Sequence, residues 1–386
     1  MNNFDFYNPT HLVFGKERLG ELDNLIPPAA KVLVLYGGGS VKKFGTLAKV
    51  LAGLKNHKVV EFGGIEPNPQ FTTLMKAVDI VKKENIDFLL AVGGGSVIDG
   101  TKFISLAAKY ERENPEELLK FGFTPIPGCK AVPLGTVVTI PATGSEMNNC
   151  AVISYNHGKY VIYSAEVFPK FSFLDPTITF SLPATQVANG VVDAFIHTTE
   201  QYLTFPVDGR FQDRTAEGIM QTLIEIGRTT IDEPTNYEAR ANLVVCATMA
   251  LNGLTCSGVP QDWTSHMIGH ELTAIFGIDH GKTLAVLLPA VLTVLKEQKR
   301  AKLLQYAERI WNITDGDEAS RVDLAISKTR EFFESLGIKT RLADYNVTED
   351  KIDDVVKALQ QHGMTALSES GKVTLEVSRK ILEGAM

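Results

Sequence analysis

Asp193 and His197 stand four residues apart in VVDAFIHTTEQYL, the spacing that puts two side chains on one helix face. Further along, HMIGHELTAIFGIDH carries His266, His270 and His280, three of the chain's eight histidines. One carboxylate and three imidazoles suffice to hold a divalent transition ion with a position left open for a substrate oxygen. The stretch around Asp193 and His197 (VANGVVDAFIHTT) is mostly apolar, where an unpartnered carboxylate is expensive to bury. A cation resolves that cost. Five candidates compete for four ligand places, because His266 and His270 also share a helix face. Pairing His266 with His280 leaves His270 beside the ion or as a proton relay, and spacing alone does not choose. The isolated His11, His57, His157 and His362 read as ordinary surface or core histidines.

A second chemistry lies upstream. Lys31–Tyr36 (KVLVLY) runs into Gly37-Gly38-Gly39-Ser40, and residues 87–92 (DFLLAV) run into Gly93-Gly94-Gly95-Ser96. Glycines at a strand's carboxyl end let backbone N–H groups approach an anion, and the next helix N-terminus adds a favourable dipole. Neither loop is G-x-G-x-x-G, and either alone is equally a tight strand-to-helix turn. Two of them in one sheet point to a dinucleotide. Gly95, Ser96 and Val97 open the second helix, which continues through Asp99. NAD-selective folds place an acid near the ribose 2′-hydroxyl. The first loop has none and offers Ser40, Lys42 and Lys43, which favours NADP(H). A third segment, TIPATGSE from Thr139 through Thr143, supplies hydroxyls and a turn suited to a nicotinamide ribose or phosphate.

The elements that must position these residues change character along the chain. From about residue 30 to 180, apolar runs (59–62, 131–134, 151–155, 160–163, 171–174) alternate with stretches of helical spacing such as 72–84. That alternation predicts parallel strands with crossover helices. Beyond Asp175-Pro176 the β-signal fades, Pro183 fits a helix start, and residues 241–254 and 322–336 carry helical periodicity. The expected fold class is therefore α/β plus all-α. A Rossmann-like parallel-sheet domain (residues 1–180) precedes an all-helical metal-binding domain (residues 181–386).

Composition is that of an ordinary soluble globular protein. At 386 residues, two domains are expected. A net charge of −7 disfavours nucleic acid or an anionic membrane as the main partner. The apolar run 283–295 is too short to span a bilayer and contains Pro289, so it reads as a buried helix. Four cysteines without a CxxC pair read as reduced thiols, and MNNFDFYNPT shows no secretory signal, so a cytoplasmic location is expected.

The segments GGGSVIDGTK, TIPATGSE, DAFIHTTEQY and HMIGHELTAIFGIDHG closely resemble the iron-containing (group III) alcohol dehydrogenases, whose fold is shared with glycerol dehydrogenase and dehydroquinate synthase. The resemblance runs from FGKERLGEL to HGMTALSES and is strongest to the NADPH-dependent aldehyde reductase and butanol dehydrogenase branch. It implies Asp193, His197, His266 and His280 as ligands of Fe(II) or Zn(II), with His270 near the substrate. It implies cofactor contacts at Gly38, Gly39, Ser40, Asn68, Gly94, Gly95, Ser96, Val97, Asp99, Thr139, Thr143 and Lys159. Many members carry an NAD-favouring aspartate in the first loop; glycine and serine stand here, as in the NADP-using branch. The implied activity is hydride transfer between NADP(H) and an aldehyde/primary alcohol pair, with His270 and Asp99 as catalytic candidates, in a homodimer. Asn148, Asn149, Cys150 and Trp263 flank these segments as candidate pocket residues. One rival is a dehydroquinate synthase-like or glycerol dehydrogenase-like enzyme. The lyase needs a basic pocket, and Lys282 is the main cation near the helical motifs. A second rival is a non-catalytic nucleotide- or metal-binding protein.

Overall fold

Lys31–Tyr36 and Phe88–Gly93 are apolar at nearly every position, so each strand needs cover on both faces. The computed structural model, which describes residues 1–112, 114–126 and 128–386, shows how they obtain it. The strands before residue 180, in chain order, are β1 (His11–Phe14), β2 (Lys31–Tyr36), β3 (Lys58–Phe62), β4 (Phe88–Gly93), β5 (Leu134–Val138), β6 (Cys150–Tyr155), β7 (Gly158–Tyr163) and β8 (Phe171–Leu174). Six of them form one sheet in the order β1-β8-β5-β4-β2-β3, with every pair parallel. β6 and β7 make a separate antiparallel hairpin. Side chains alternate across the sheet with period two. Leu33, Leu35, Leu89 and Ala91 enter one core with the helices Phe71–Glu84 and Gly95–Ala107. Val32, Val34, Tyr36, Phe88, Leu90 and Val92 enter the core on the opposite face.

One expected strand shifts and one strand is added. The strand placed at 131–134 is instead β5, because Pro133 has no N–H to give a ladder and pairing starts at Leu134. β1 carries almost no sequence signal, being a four-residue edge strand with only Val13 buried.

The chain separates into two compact units. One comprises Tyr7–Leu182 with Pro234–Thr248, the other Met1–Phe6, Pro183–Glu233 and Met249–Met386. The expected boundary near residue 180 falls at 182/183, and the chain passes between the units at three further places, 6/7, 233/234 and 248/249. Residues 234–248 rejoin the sheet unit because Val244 packs into its core, while the Arg240 guanidinium donates to Thr179 O (2.7 Å) and Thr248 Oγ1 donates to Glu146 Oε1 (2.5 Å). Residues 1–6 lie with the helices, Asn2 N donating to Gly258 O (2.9 Å).

The second unit is helical apart from a small hairpin (Ala366–Leu367 with Val373–Thr374). Its central helices, Ala184–Tyr202 and His280–Val294, are buried over most of their circumference, which explains their apolar sequences. The latter contains the run 283–295 with Pro289 inside the helix. Among the described residues no helix is long and apolar enough to cross a membrane. In the sheet unit, Phe171 is fully buried, stacked on Phe88 at 5.7 Å and edge-on to Phe173 at 5.7 Å. Phe171→Ala should destabilise that unit by about 3–5 kcal/mol, read as a lowered urea midpoint of its unfolding transition.

Candidate metal centre and nucleotide cradle

The helix Ala184–Tyr202 starts directly after Pro183 and carries Asp193, His197 and Glu200 at successive turns of one face. A second helix, Thr264–Phe276, carries His266 and His270 and stops at Gly277, whose left-handed backbone lets its N–H close on Thr273 O (3.0 Å). The next helix begins at His280. A Cβ on Gly281 would lie 2.8 Å from Asn189 O, so only glycine lets this helix start approach the Ala184–Tyr202 helix so closely. That approach brings His280 to Asp193.

Three imidazole nitrogens then gather on one carboxylate oxygen. His197 Nδ1, His266 Nε2 and His280 Nε2 lie 3.5, 3.7 and 3.8 Å from Asp193 Oδ1. These are too long for hydrogen bonds. They are close to the ~3.4 Å that separates ligand atoms around a tetrahedral ion with ~2.1 Å bonds. Asp193, His266 and His280 are the set whose ligand atoms all fall within 4.8 Å of one another among the described residues. His197 flanks it, its ring stacked on His266 at 4.5 Å. Asp193 Oδ1, His197 Nδ1 and His266 Nε2 are buried without a hydrogen-bond partner, an arrangement that a shared cation satisfies. The donor set fits a divalent ion. Lys282, the cation nearest these motifs, is held by Asp279 Oδ2 at 2.5 Å, so no basic pocket forms from it.

Electrostatics point the same way. Burial alone would raise the Asp193 carboxyl, but the neighbouring imidazoles, His197 first, hold it well below the usual carboxylate range. Burial pushes His197 down to about 4, keeping it neutral at physiological pH. Burial also opposes the charged form of His266, yet the Glu200 carboxylate and Asp193 outweigh it and raise the imidazole to about 9. Trp263, in left-handed backbone just before the helix, packs edge-on to His266 (5.3 Å) and His197 (6.0 Å). His270 is buried one turn beyond His266, with its ring 5.4 Å from that of His280, and lies outside the three-residue set.

In the sheet unit the two glycine loops follow β2 and β4, which are hydrogen-bonded neighbours. From β2 the chain moves to β3 on one side and then returns to β4 on the other, so the loops sit at a topological switch point, at the strands' carboxyl ends. Around the second loop the expected residues come together. Asn68 N donates to Ser96 Oγ (3.2 Å), and Lys159 Nζ donates to Asn68 Oδ1 (2.9 Å). Thr139 N donates to Gly93 O (3.0 Å), and a Cβ on Gly95 would stand 2.6 Å from Thr143 Oγ1. The backbone of Gly94 through Val97 thus faces the Thr139–Thr143 turn with no room for a side chain at 95. Beside Gly38 and Gly39 a Cβ would meet nothing within 4 Å, which is space a phosphate could fill.

Two of the expected residues are already engaged with neighbouring side chains. Asp99, expected as catalytic, has both carboxylate oxygens committed: one accepts from Ser145 Oγ (2.6 Å), the other from Val152 N (2.8 Å). Burial raises it against the pull of Lys102. The fully buried Lys102, lowered to about 8 by burial, donates to Ser145 Oγ, Asn148 Oδ1 and Cys150 O at 2.8–2.9 Å. Asp99, Lys102 and Asn148 therefore clamp the segment after Thr143 to the cradle helix. Lys42 is not simply a free cation, since its Nζ lies 4.9 Å from the Tyr36 ring centre and 3.7 Å from Glu61 Oε2. Glu61 escaped the sequence reading because it comes from the neighbouring strand β3.

Comparison with known proteins supplies the family. Residues 9–176 match the family described as iron-containing alcohol dehydrogenase, and residues 187–375 match the Fe-containing alcohol dehydrogenase C-terminal family. The chain belongs to the iron-containing alcohol dehydrogenase family. It is 55% identical to the NADPH-dependent aldehyde reductase YqhD of Escherichia coli, with 100% of both chains covered. It is 36% identical to NADH-dependent butanol dehydrogenase A of Clostridium acetobutylicum, covering 95% of each. The substrate- and cofactor-free structure of the E. coli aldehyde reductase superimposes with a TM-score of 0.93 at 53% identity over 100% of both chains.

For a dehydrogenase of this family, the residue that sequence reasoning missed is Glu200. Its carboxylate accepts from Ser265 N (2.6 Å) and contacts His266 Nδ1 at very short range. Positions 193, 197 and 200 follow i, i+4, i+7, so the spacing alone puts Glu200 on the face of Asp193 and His197. A cation must displace the proton that His266 holds below about pH 9. Zinc affinity of the dehydrogenase should thus weaken as pH falls, about 100-fold from roughly pH 8 to pH 6, and a competition titration showing no change contradicts this. Gly95→Ala should displace Thr143 and weaken NADPH binding about tenfold, measured by nicotinamide fluorescence, without altering zinc affinity.

Proposed function

We propose that this enzyme reduces an aldehyde to a primary alcohol with NADPH, reversibly, using one divalent ion, Fe(II) or Zn(II), held by Asp193, His197, His266 and His280. The observation that carries the reading is the convergence of three imidazole nitrogens on Asp193 Oδ1 at 3.5–3.8 Å. A bound cation would supply Lewis-acid polarisation of a carbonyl, several kcal/mol of transition-state stabilisation. In the overall reaction the carbonyl carbon gains a hydride, its oxygen gains a proton, and NADPH leaves as NADP⁺.

This chain's residues orient those parts. The loop residues Gly38, Gly39 and Ser40 and the helix start Gly94 through Val97 offer backbone N–H groups to the phosphates. Asn68, Thr139, Thr143 and Lys159 complete the nucleotide contacts, while Asp99 and Lys102 hold the loop behind them. We assign proton delivery to the substrate oxygen to His270, buried one turn beyond His266. The NADP preference is supported by the carboxylate-free first loop, the room at Gly38, and the NADPH-dependence in the name of the 55% identical relative. Lys42 would trade Glu61 for a 2′-phosphate. Small aldehydes and alcohols are the expected partners, with the enzyme acting in the cytoplasm as a homodimer.

Butyraldehyde with NADPH should give a loss of nicotinamide absorbance that depends on metal. His266→Ala should lower turnover by about a thousandfold or more, with NADPH affinity nearly unchanged. Undiminished activity after complete chelation would sink the reading, and elemental analysis of the active protein separates iron from zinc.

A further inference from the structure

The start of the Thr264–Phe276 helix is held by two buried carboxylates that do different work. Asp262 Oδ1 accepts from Thr264 N (3.0 Å) and contacts Thr264 Oγ1, while its Oδ2 faces Lys299 Nζ at 2.9 Å. Lys299 Nζ also donates to Leu203 O (2.6 Å) and pairs with Glu369 at 3.0 Å, so this first clamp is anchored on three sides. Glu200 is the second. Its Oε1 accepts from Ser265 N, and its Oε2 meets His266 Nδ1, the ring nitrogen opposite the one that faces Asp193.

We infer that Glu200 is a positioning residue that fixes His266 with its proton on Nδ1 and its Nε2 lone pair directed at the cation, and thereby sets the cation's affinity. The inference rests on the metal reading above. Three facts carry it. An ionised carboxylate only accepts, so both of its neighbours must donate, and His266 Nδ1 must carry a proton. Metal-ligating histidines gain basicity and a fixed ring orientation from such an outer acceptor. Finally, Asp193 and Glu200 together bring two negative charges to the site, which balance a divalent cation away from water.

Glu200→Gln is nearly isosteric yet cannot reproduce this. Its amide has one acceptor and one donor end, and Ser265 N–H and His266 Nδ1–H are both donors. If the amide oxygen faces Ser265, the amide N–H drives His266 to the Nε2–H tautomer, which cannot ligate. If the oxygen faces His266, the amide N–H opposes Ser265 N–H. Asp262 still secures the helix start, so the fold is expected to survive.

The test is a chelator-competition titration of the metal-free full-length protein with Co(II) and Zn(II). For E200Q we expect affinity 10–100-fold weaker than wild type, a changed Co(II) visible spectrum, and a metal-free Tm close to wild type. E200D, which keeps two acceptors, should recover part of the affinity. Equal affinity and an unchanged Co(II) spectrum in folded E200Q would overturn the inference and reduce Glu200 to a helix cap, leaving the metal reading intact. No binding by wild type would overturn both. Should E200Q not fold, the zinc-loaded wild type labelled with 15N-histidine decides: a far-downfield, exchange-protected Nδ1–H at His266 is expected, and its absence overturns the inference.

Discussion

A carboxylate buried in an apolar helix has to be neutralised, and that single requirement organises the helical unit. Asp193 sits on a helix whose other faces are occupied by aliphatic and aromatic side chains, Phe195 against Phe332 and Phe333 among them. Left alone, such a charge costs several kcal/mol. Three imidazoles from three helix segments answer it, and each arrives by a specific local device. His197 comes by helical spacing, His266 by a helix start pinned on acids, and His280 by a glycine that permits close helix contact. The ring nitrogens stop short of hydrogen-bonding distance from Asp193 Oδ1.

The sheet unit solves a different problem with different physics. A dinucleotide offers dispersed negative oxygens, which backbone N–H groups and helix dipoles recognise without a dedicated charge for each. Parallel strands deliver those groups in register, so a rigid sheet edge is the natural platform. Side-chain ligands for a compact cation need convergence from many directions, which helix faces and helix ends provide.

Both units rely on a buried ammonium to fix loops next to their working residues. Lys102 gathers Ser145, Asn148 and Cys150, and Lys299 gathers Leu203, Asp262 and Glu369. Buried charges of this kind add little net stability but are costly to leave unpaired. Their value here is geometric, since each ties together segments distant in sequence. Neither lysine bears a ligand-like signature in the chain, and a search for reactive residue types passes over both.

Local rules were enough to read much of this protein from its letters. The period-two and period-3.6 patterns located most strands and helices, glycine triplets after apolar strands marked the two strand-to-helix turns, and Asp193 with His197 put a carboxylate and an imidazole on one helix face. Those features depend on neighbours within one or two turns. Other features depend on contacts between distant segments. Pairing β2 with β4 made two separate loops into one switch point, the approach of Gly281 to Asn189 brought His280 within 4 Å of Asp193, and packing of Val244 returned residues 234–248 to the sheet unit. Asp99 and Glu200 show the limit most clearly. Both are acids on helices beside recognisable motifs, yet one turned out to be a loop clamp and the other the partner of His266. Only the positions of Val152 and Ser265, more than fifty residues away in each case, decided which was which, because a hydrogen bond is set by distance in space and leaves no trace in spacing along the chain.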